Sequence, residues 1–181
     1  MTGELAQNHQ PAQNQQPTLS QLNMVVRDMD ATLAFYRRLG FVIEAESGAS
    51  HVELPLPNGL VVEFDDAESV AMWHSGWPGI TSRPGNTSGP GNTGGPGDTG
   101  GQLSTGGGIV LGVTLSAREA VDAIYAEVTA AGYAGRQPPY DAFWGSRYAV
   151  VEDPDGQQVG LMSPIDDSRK TWPPVPPPRA S

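Results

Sequence analysis

Residues 26–41 read Val26-Arg-Asp-Met-Asp-Ala-Thr-Leu-Ala-Phe-Tyr-Arg-Arg-Leu-Gly-Phe41, and this stretch decides the prediction of the fold. Its apolar side chains recur at the spacing of one helical face, at Met29, Leu33 and Tyr36. The aspartates before them can cap the first turn, and Gly40 can take the left-handed conformation that often ends a helix. The stretch therefore predicts a helix over 31–39.

Extended segments surround this helix. Before it, Leu22, Met24 and Val26 alternate with Gln21, Asn23 and Val25, which is the period of two expected of a strand. After it, the pattern predicts strands over 41–46, 51–56 and 60–64, separated by turns at 47–48 and 57–59. The predicted order is β-α-β-β-β.

The same order recurs in the second half of the chain. A strand over 109–115 leads to Ser116 and Glu119, whose spacing predicts a capping box at the start of a second helix. Its apolar positions lie 92 residues beyond those of the first helix, at Val121, Tyr125 and Val128. Strands over 133–136, 147–152 and 158–163 follow. We therefore predict an α+β protein with two tandem βαβββ modules that pack against one another.

Glycine and proline, 23 and 17 residues, are concentrated between the modules and in the tails. Residues 84–101 hold three near-copies of a hexapeptide that begins Pro-Gly, a composition typical of a flexible linker. The predicted organisation is a disordered tail (1–18), a first module (19–65), a connector with this linker (66–107), a second module (108–163) and a proline-rich tail (164–181).

Composition narrows the class of protein. The chain has no cysteine, which excludes disulfides and thiolate chemistry and fits a reducing compartment. A net charge of −10 with only ten Lys and Arg disfavours nucleic acid as a partner. No stretch approaches the roughly 18 apolar residues that a spanning helix needs. We expect a cytoplasmic protein with no membrane association.

The stretch 26–41 resembles the first strand and helix of the vicinal oxygen chelate superfamily, which contains glyoxalases, bleomycin-resistance proteins and extradiol dioxygenases. Residues 143–161, with Phe143-Trp-Gly-Ser-Arg-Tyr-Ala-Val-Val-Glu-Asp-Pro-Asp-Gly156, resemble its closing hairpin. The resemblance implies a U-shaped, eight-stranded cleft that holds a ligand. It implies no single reaction, because the superfamily includes enzymes and pure drug-binding proteins.

In metal-dependent members of that superfamily, four positions converge on one divalent ion. The motif places them here at Gln21, Glu63, Gly108 and Gly160. Two glycines provide no ligand atom, so we expect neither this metal centre nor another cofactor. His51, Glu53 and Glu63 can share one sheet face, but a half-exposed polar hairpin explains them as well.

Aromatic residues remain as candidates for the ligand site. Trp73, Tyr140, Phe143 and Trp144 can provide stacking area, and Arg147 can orient a ligand. In the alternative interpretation, Phe143 and Trp144 plug the end of the barrel and Arg147 pairs with Asp141 or Glu152. Glu63 can act as a general base, or it can be a glutamate hydrogen-bonded to Gln21.

Two hypotheses on function follow. The protein binds an organic small molecule in a metal-free cleft, like a bleomycin-resistance protein, with Gln21 and the aromatic residues at the site. Alternatively, it is a lyase of the glyoxalase type or a dioxygenase that uses Glu63 as base or metal ligand. A homodimer is a possible assembly.

Overall fold

The computed structural model describes residues 16–75, 109–174 and 177. In chain order the elements are β1 (Gln21–Val26), α1 (Met29–Arg38), β2 (His51–Pro55), β3 (Val61–Asp66), α2 (Ala67–Trp73), β4 (Val110–Thr114), α3 (Arg118–Ala130), β5 (Gly135–Asp141), β6 (Arg147–Glu152), β7 (Gln158–Met162) and a 3₁₀ turn (Asp167–Arg169). The predicted hexapeptide linker and the distal part of each tail lie outside the described residues.

The strands form two sheets, which confirms the α+β fold. The first sheet has the order β1-β3-β2, with β1 parallel and β2 antiparallel to β3. The second has the order β4-β7-β6-β5, with β4 parallel to β7 and the other neighbours antiparallel. Neither sheet closes into a barrel within the described part of the chain, so β1 and β4 are both edge strands.

Helix α1 forms for the reasons that the sequence provides. The Asp28 side chain accepts a hydrogen bond from the Ala31 amide at 2.9 Å, which satisfies one free amide of the first turn. Gly40 follows the helix with φ +99°, a conformation that favours glycine.

The predicted capping box of the second helix is wrong. Helix α3 starts after Ala117, which makes no side-chain cap bond.

Three further differences have local causes. The predicted strand over 41–46 is absent; instead, Arg37 Nε donates to the Ile43 carbonyl at 3.0 Å. The first part of the predicted connector forms helix α2, capped by the Asp66 side chain on the Ser69 amide. Strand β5 continues through Pro138 and Pro139, which an edge strand with register shifts tolerates.

The helical sides of the two sheets share one core. In the first module Leu54, Phe64 and Leu33 are buried, and in the second Val121, Val128 and Leu161. Phe35 joins the modules: it is 0% exposed and its ring lies 5.0 Å from that of Tyr133. Within residues 16–75 and 109–174, no helix is long and apolar enough to cross a bilayer.

A buried polar contact also joins the modules at the turn between β6 and β7. The Tyr36 hydroxyl donates to Asp153 Oδ2 at 3.3 Å, and Asp155 forms an ion pair with Arg27 at 3.0 Å. Burial, followed by the charge of Asp153, raises the pKa of Tyr36, so the hydroxyl keeps its proton. Burial also raises the pKa of Asp153 to about 6, against an ordinary 3.8.

This shift predicts a pH dependence of stability. Between about pH 4 and 6 the folded chain holds a proton on Asp153 that the unfolded chain releases, so the free energy of unfolding falls as pH rises through this window. Asp153→Asn removes this contribution and keeps an oxygen for the amides of Asp155 and Gln157. Relative to the variant, the wild type should lose about 2 kcal/mol between pH 4 and 7, measured by urea denaturation. Parallel curves for the two proteins would contradict the assignment.

Candidate functional site

Each sheet has one face that packs on its helix and one face that does not, and the candidate residues lie mainly on the second kind. On the first sheet this face carries a polar cluster, made of Gln21, Asn23, His51, Glu53, Glu63 and Asp65. On the second sheet it carries an aromatic cluster, made of Tyr140, Phe143, Trp144 and Tyr148. Strand alternation places the polar cluster and the pair Tyr140 and Tyr148, because every second side chain points away from the helix. Phe143 and Trp144 lie in the loop between β5 and β6.

Asn23 is the centre of the polar cluster. Its side-chain amide donates to Glu63 Oε2 at 2.8 Å and to Asp65 Oδ2 at 3.1 Å. Its carbonyl oxygen accepts from Gln21 Nε2 at 2.7 Å, which fixes the orientation of the amide. The structure therefore connects Gln21 and Glu63 through Asn23. The predicted alternative, a direct bond between those two residues, is replaced by this relay.

His51 completes the cluster from β2. Its Nδ1 lies 2.8 Å from Asp65 Oδ1, and its Nε2 lies 3.6 Å from Glu53. The hydrogen bond to Asp65 is the main cause that raises the pKa of His51 above its ordinary value. The Asp65 side chain is 3% exposed, whereas the imidazole is 44% exposed. A buried carboxylate thus orients a ring that solvent can reach.

Three side chains of this cluster could hold a metal ion. One ligand atom each from His51, Glu63 and Asp65 lies within 4.8 Å of the other two. This set differs from the predicted grouping of His51 with Glu53 and Glu63, because Glu53 is 62% exposed and lies 3.6 Å from Nε2, the ring nitrogen that does not contact Asp65. Asp65 takes its place, since β3 extends two residues beyond the predicted strand end.

The aromatic cluster is made of edge-to-face contacts. The Trp144 ring lies 5.0 Å from Phe143, 5.2 Å from Tyr148 and 6.4 Å from Tyr140. Tyr140 and Tyr148 are cross-strand partners with centroids 6.2 Å apart. All four side chains are partly exposed. The cluster is a wall of rings with area left for a ligand, and burial raises the pKa of both tyrosines, so both hydroxyls stay neutral.

The loop that carries Trp144 is fixed by the chain beyond β7. Gly145 has φ +96°, and the Asp166 amide donates to its carbonyl oxygen. The Thr171 amide donates to the Phe143 carbonyl oxygen at 2.9 Å. A Cβ at position 145 would clash with the Asp166 backbone, so the tight turn requires glycine. The first residues of the tail predicted over 164–181 thus position the loop of the predicted ligand site.

Two of the four positions at which the resemblance places metal ligands are glycines in this chain, Gly108 and Gly160. Gly160 lies opposite Gly112 in the second sheet. We call the face of this sheet that does not pack on its helix, and that carries the aromatic cluster, the free face. A Cβ built at Gly160 would clash with the Tyr148 hydroxyl and lie 2.9 Å from Tyr148 Cε2, so the phenol occupies the space of a ligand side chain. Gly108, the other predicted ligand position, lies outside the described residues.

Arg147 does not belong to the aromatic cluster. It precedes Tyr148, so it lies on the side of helix α3, where it pairs with Asp122 of α3 at 2.7 Å and with its cross-strand neighbour Asp141 at 2.9 Å. This is the ion-pair alternative that the sequence left open for Asp141. Trp73 lies at the end of α2, 58% exposed, with His74 as its ring neighbour at 6.1 Å. The residues predicted to form one ligand site therefore lie at separate places: at the aromatic cluster, beside α3 and at the end of α2.

Sequence reasoning missed Asn23, Asp65 and Tyr148. The alternation in β1 already put Asn23 on the same face as Gln21, and one more pair of residues in β3 would have added Asp65. Tyr148 could have been predicted from the sequence, because it follows the candidate Arg147 and successive strand residues point to opposite faces. The hydrogen-bond relay had no sequence signal, because it depends on the register between β1 and β3.

Comparison with known proteins supports the architecture. A sequence model described as the Glyoxalase/Bleomycin resistance protein/Dioxygenase superfamily matches residues 18–161. No curated protein matches the chain.

Three solved structures are similar in fold. One is a glyoxalase/bleomycin resistance protein/dioxygenase from Nocardioides, 20% identical, with a TM-score of 0.56 over 86% of this chain and 88% of that one. Another is a family enzyme with the same description from Burkholderia phytofirmans PsJN, with 20% identity, a TM-score of 0.56 and coverage of 81% and 98%. The third is a glyoxalase-related enzyme from Fulvimarina pelagi, with 18% identity, a TM-score of 0.56 and coverage of 81% and 87%. At these identities the likeness shows the fold alone.

Proposed function

Because the chain belongs to the glyoxalase/bleomycin resistance protein/dioxygenase superfamily, we propose that it binds an aromatic or amphipathic organic molecule against the aromatic cluster of the second sheet. The observation that carries this proposal is the Tyr148 phenol over Gly160, where the family's metal ligand would stand. Rings that replace a metal ligand favour stacking over Lewis-acid chemistry at this place.

The free face beside the cluster is open to solvent at Gly112. Gly112 lies beside Gly160 and forms, next to the Tyr148 ring, a floor without a side chain. A Cβ at Gly112 would meet only the flexible end of Met162, at 3.7 Å. Apolar and aromatic walls with a few polar atoms are typical of small-molecule sites, and the two tyrosine hydroxyls provide such atoms.

The proposal can be tested by filling that space. Gly112→Phe should lower the affinity for the aromatic dye 8-anilinonaphthalene-1-sulfonate at least about tenfold, because the new ring occupies the floor. A strand position tolerates phenylalanine, so the free energy of unfolding should stay within about 0.5 kcal/mol. The matched control is Val42→Phe, which adds a ring at an 83% exposed site in the other module.

Native mass spectrometry of the protein as purified should also show a copurified compound that Gly112→Phe loses and Val42→Phe keeps. Equal dye affinity in both variants would refute the proposed site, because the floor would then not contribute to binding.

A second candidate function is a lyase or dioxygenase that uses the polar cluster. The observation in its favour is Glu63, which lies beside a His51 ring oriented by a buried carboxylate. Turnover of an added substrate that is lost in Glu63→Gln and kept in Gly112→Phe would favour this candidate.

We also propose that the protein forms a homodimer and is located in the cytoplasm. Within the described residues β1 and β4 are edge strands with one paired neighbour each, and Ile109 and Val110 at the start of β4 are 55% and 44% exposed. An exposed apolar edge strand can pair with a strand of another chain, and the cysteine-free composition fits a reducing compartment. Sedimentation equilibrium should give twice the mass of the 19.1 kDa chain. A monomer at micromolar concentration would exclude the dimer.

A further inference from the structure

We propose that His51, Glu63 and Asp65 bind a divalent first-row transition-metal ion at a three-ligand site that lies wholly within the first sheet. This site goes beyond the proposed ligand binding at the second sheet. The sequence predicted a metal-free chain because two of the four ligand positions of the family motif are glycines. The proposed site does not need those glycine positions, since Glu63 is the only residue that it shares with the motif.

The first argument is the spacing of the ligand atoms. Nitrogen and oxygen ligands bind such ions at about 2.0–2.2 Å, so two ligands at right angles are about 3 Å apart. His51 Nδ1 and Asp65 Oδ1 lie 2.8 Å apart, with one ligand atom of Glu63 within 4.8 Å of both residues. The three residues stand on adjacent positions of two paired strands, His51 opposite Asp65, so the sheet fixes their separation.

The second argument is the orientation of the carboxylates. Asn23 donates to Glu63 Oε2 and to Asp65 Oδ2, which turns the other oxygen of each residue away from the amide. Gln21 in turn holds the Asn23 carbonyl oxygen at 2.7 Å. In metal sites, carboxylate ligands are oriented by hydrogen bonds from residues that do not themselves bind the metal.

The third argument is charge. Glu53, Glu63 and Asp65 bring three carboxylates to one face, and Asp65 is buried, where an uncompensated charge is costly. Every arginine and lysine that the structure describes binds elsewhere: Arg27, Arg37, Arg38, Arg118, Arg136, Arg147, Arg169 and Lys170. The arginine and lysine side chains of the described residues thus pair elsewhere, and a divalent cation would supply positive charge beside the three carboxylates.

The ligand types define the class of ion. One imidazole with two carboxylates suits Zn²⁺, Fe²⁺, Co²⁺ or Mn²⁺, and three protein ligands leave coordination positions open for water or a substrate oxygen. The half-exposed imidazole keeps this open side accessible from solvent.

The test is calorimetric titration of the full chain, treated with a chelator and dialysed, with Zn²⁺ and separately with Mn²⁺. We expect one equivalent of Zn²⁺ per chain. Glu63→Gln should weaken Zn²⁺ binding at least tenfold, because a carboxylate ligand becomes a neutral amide. His51→Gln should weaken Zn²⁺ binding more than Mn²⁺ binding, since the imidazole contributes more to the binding of the softer ion.

The matched control is Glu53→Gln, which removes a carboxylate of the same face that is not in the ligand set and should change affinity less than threefold. Far-UV circular dichroism checks that the half-exposed positions 51 and 63 tolerate their substitutions. Absence of Zn²⁺ binding at millimolar concentration, or equal affinity in Glu63→Gln and Glu53→Gln, would overturn the proposal. Gly112→Phe should bind Zn²⁺ like the wild type, so failure of this site and failure of the aromatic site are distinguishable.

Discussion

Phe35→Ala is expected to lower the free energy of unfolding by about 3–5 kcal/mol and to weaken both modules together. The ring is 0% exposed, lies 5.2 Å from Tyr36 in its own helix and 5.0 Å from Tyr133 in the second module. Truncation removes a large apolar group and leaves a cavity between α1 and the chain that follows α3. Few native proteins have the stability to lose this much and remain fully folded.

Chemical denaturation followed at two places measures this effect. Variants that keep a single tryptophan report separately on unfolding of helix α2, which directly follows the first module, through Trp73, and of the second module through Trp144. We expect coincident transitions in both reporters, and a coincident shift in Phe35→Ala, because the shared core makes one cooperative unit. Val42→Ala, at an 83% exposed position, is the control and should cost less than about 0.5 kcal/mol. Separate transitions would show that the contact between Phe35 and Tyr133 does not couple the modules.

Trp144→Ala has the second largest expected effect, on ligand binding. The indole is partly exposed and provides the largest surface of the aromatic cluster, so its loss should cost about 2–3 kcal/mol of binding free energy for an aromatic dye. Each 1.4 kcal/mol is about tenfold, which gives a loss of roughly 30- to 150-fold in affinity. Dye fluorescence titration and a melting curve on the same variant separate binding from stability.

Arg147→Ala is the comparison for that experiment. The guanidinium pairs with Asp122 and Asp141 on the helical side of β6, so its loss should leave dye affinity unchanged and reduce stability by up to about 1 kcal/mol. A ligand effect in Arg147→Ala would restore the sequence-based role of that residue. If instead Trp144→Ala unfolds the protein, then Trp144 is a plug of the sheet end and the aromatic site is wrongly placed.

Hydrophobic periodicity and turn residues were sufficient to predict most of the secondary structure. Alternation located β1, β4, β6 and β7, and the helical stripe with Asp28 and Gly40 located α1. Where the prediction was wrong, tertiary contacts outweighed local preference. The segment 41–46 has strand-forming residues but bonds instead to Arg37, and Ser116 lies one position too early to cap α3.

For the candidate residues too, local sequence patterns predicted one part of the site and tertiary contacts determined the other. Their types and their alternation along a strand are local properties, and these suggested Gln21, Glu63, His51 and the aromatic residues of the loop before β6. Which of them meet depends on strand register, which no local pattern contains. Asn23 binds Glu63 because β1 and β3 pair at that position, and Arg147 faces Asp122 because β6 lies against α3.

The sequence by itself determined the two β-α-β modules, the absence of thiol chemistry and the glycines at the positions of two family metal ligands. These are properties of residue type and periodicity, which act over one turn of helix or a few residues of strand. Only the tertiary structure decided that Tyr148 covers Gly160, that Asp65 joins His51 and Glu63, and that Phe35 is buried between the modules. The physical reason is that each of these contacts joins residues on different elements, whose relative placement is set by the packing of the shared core.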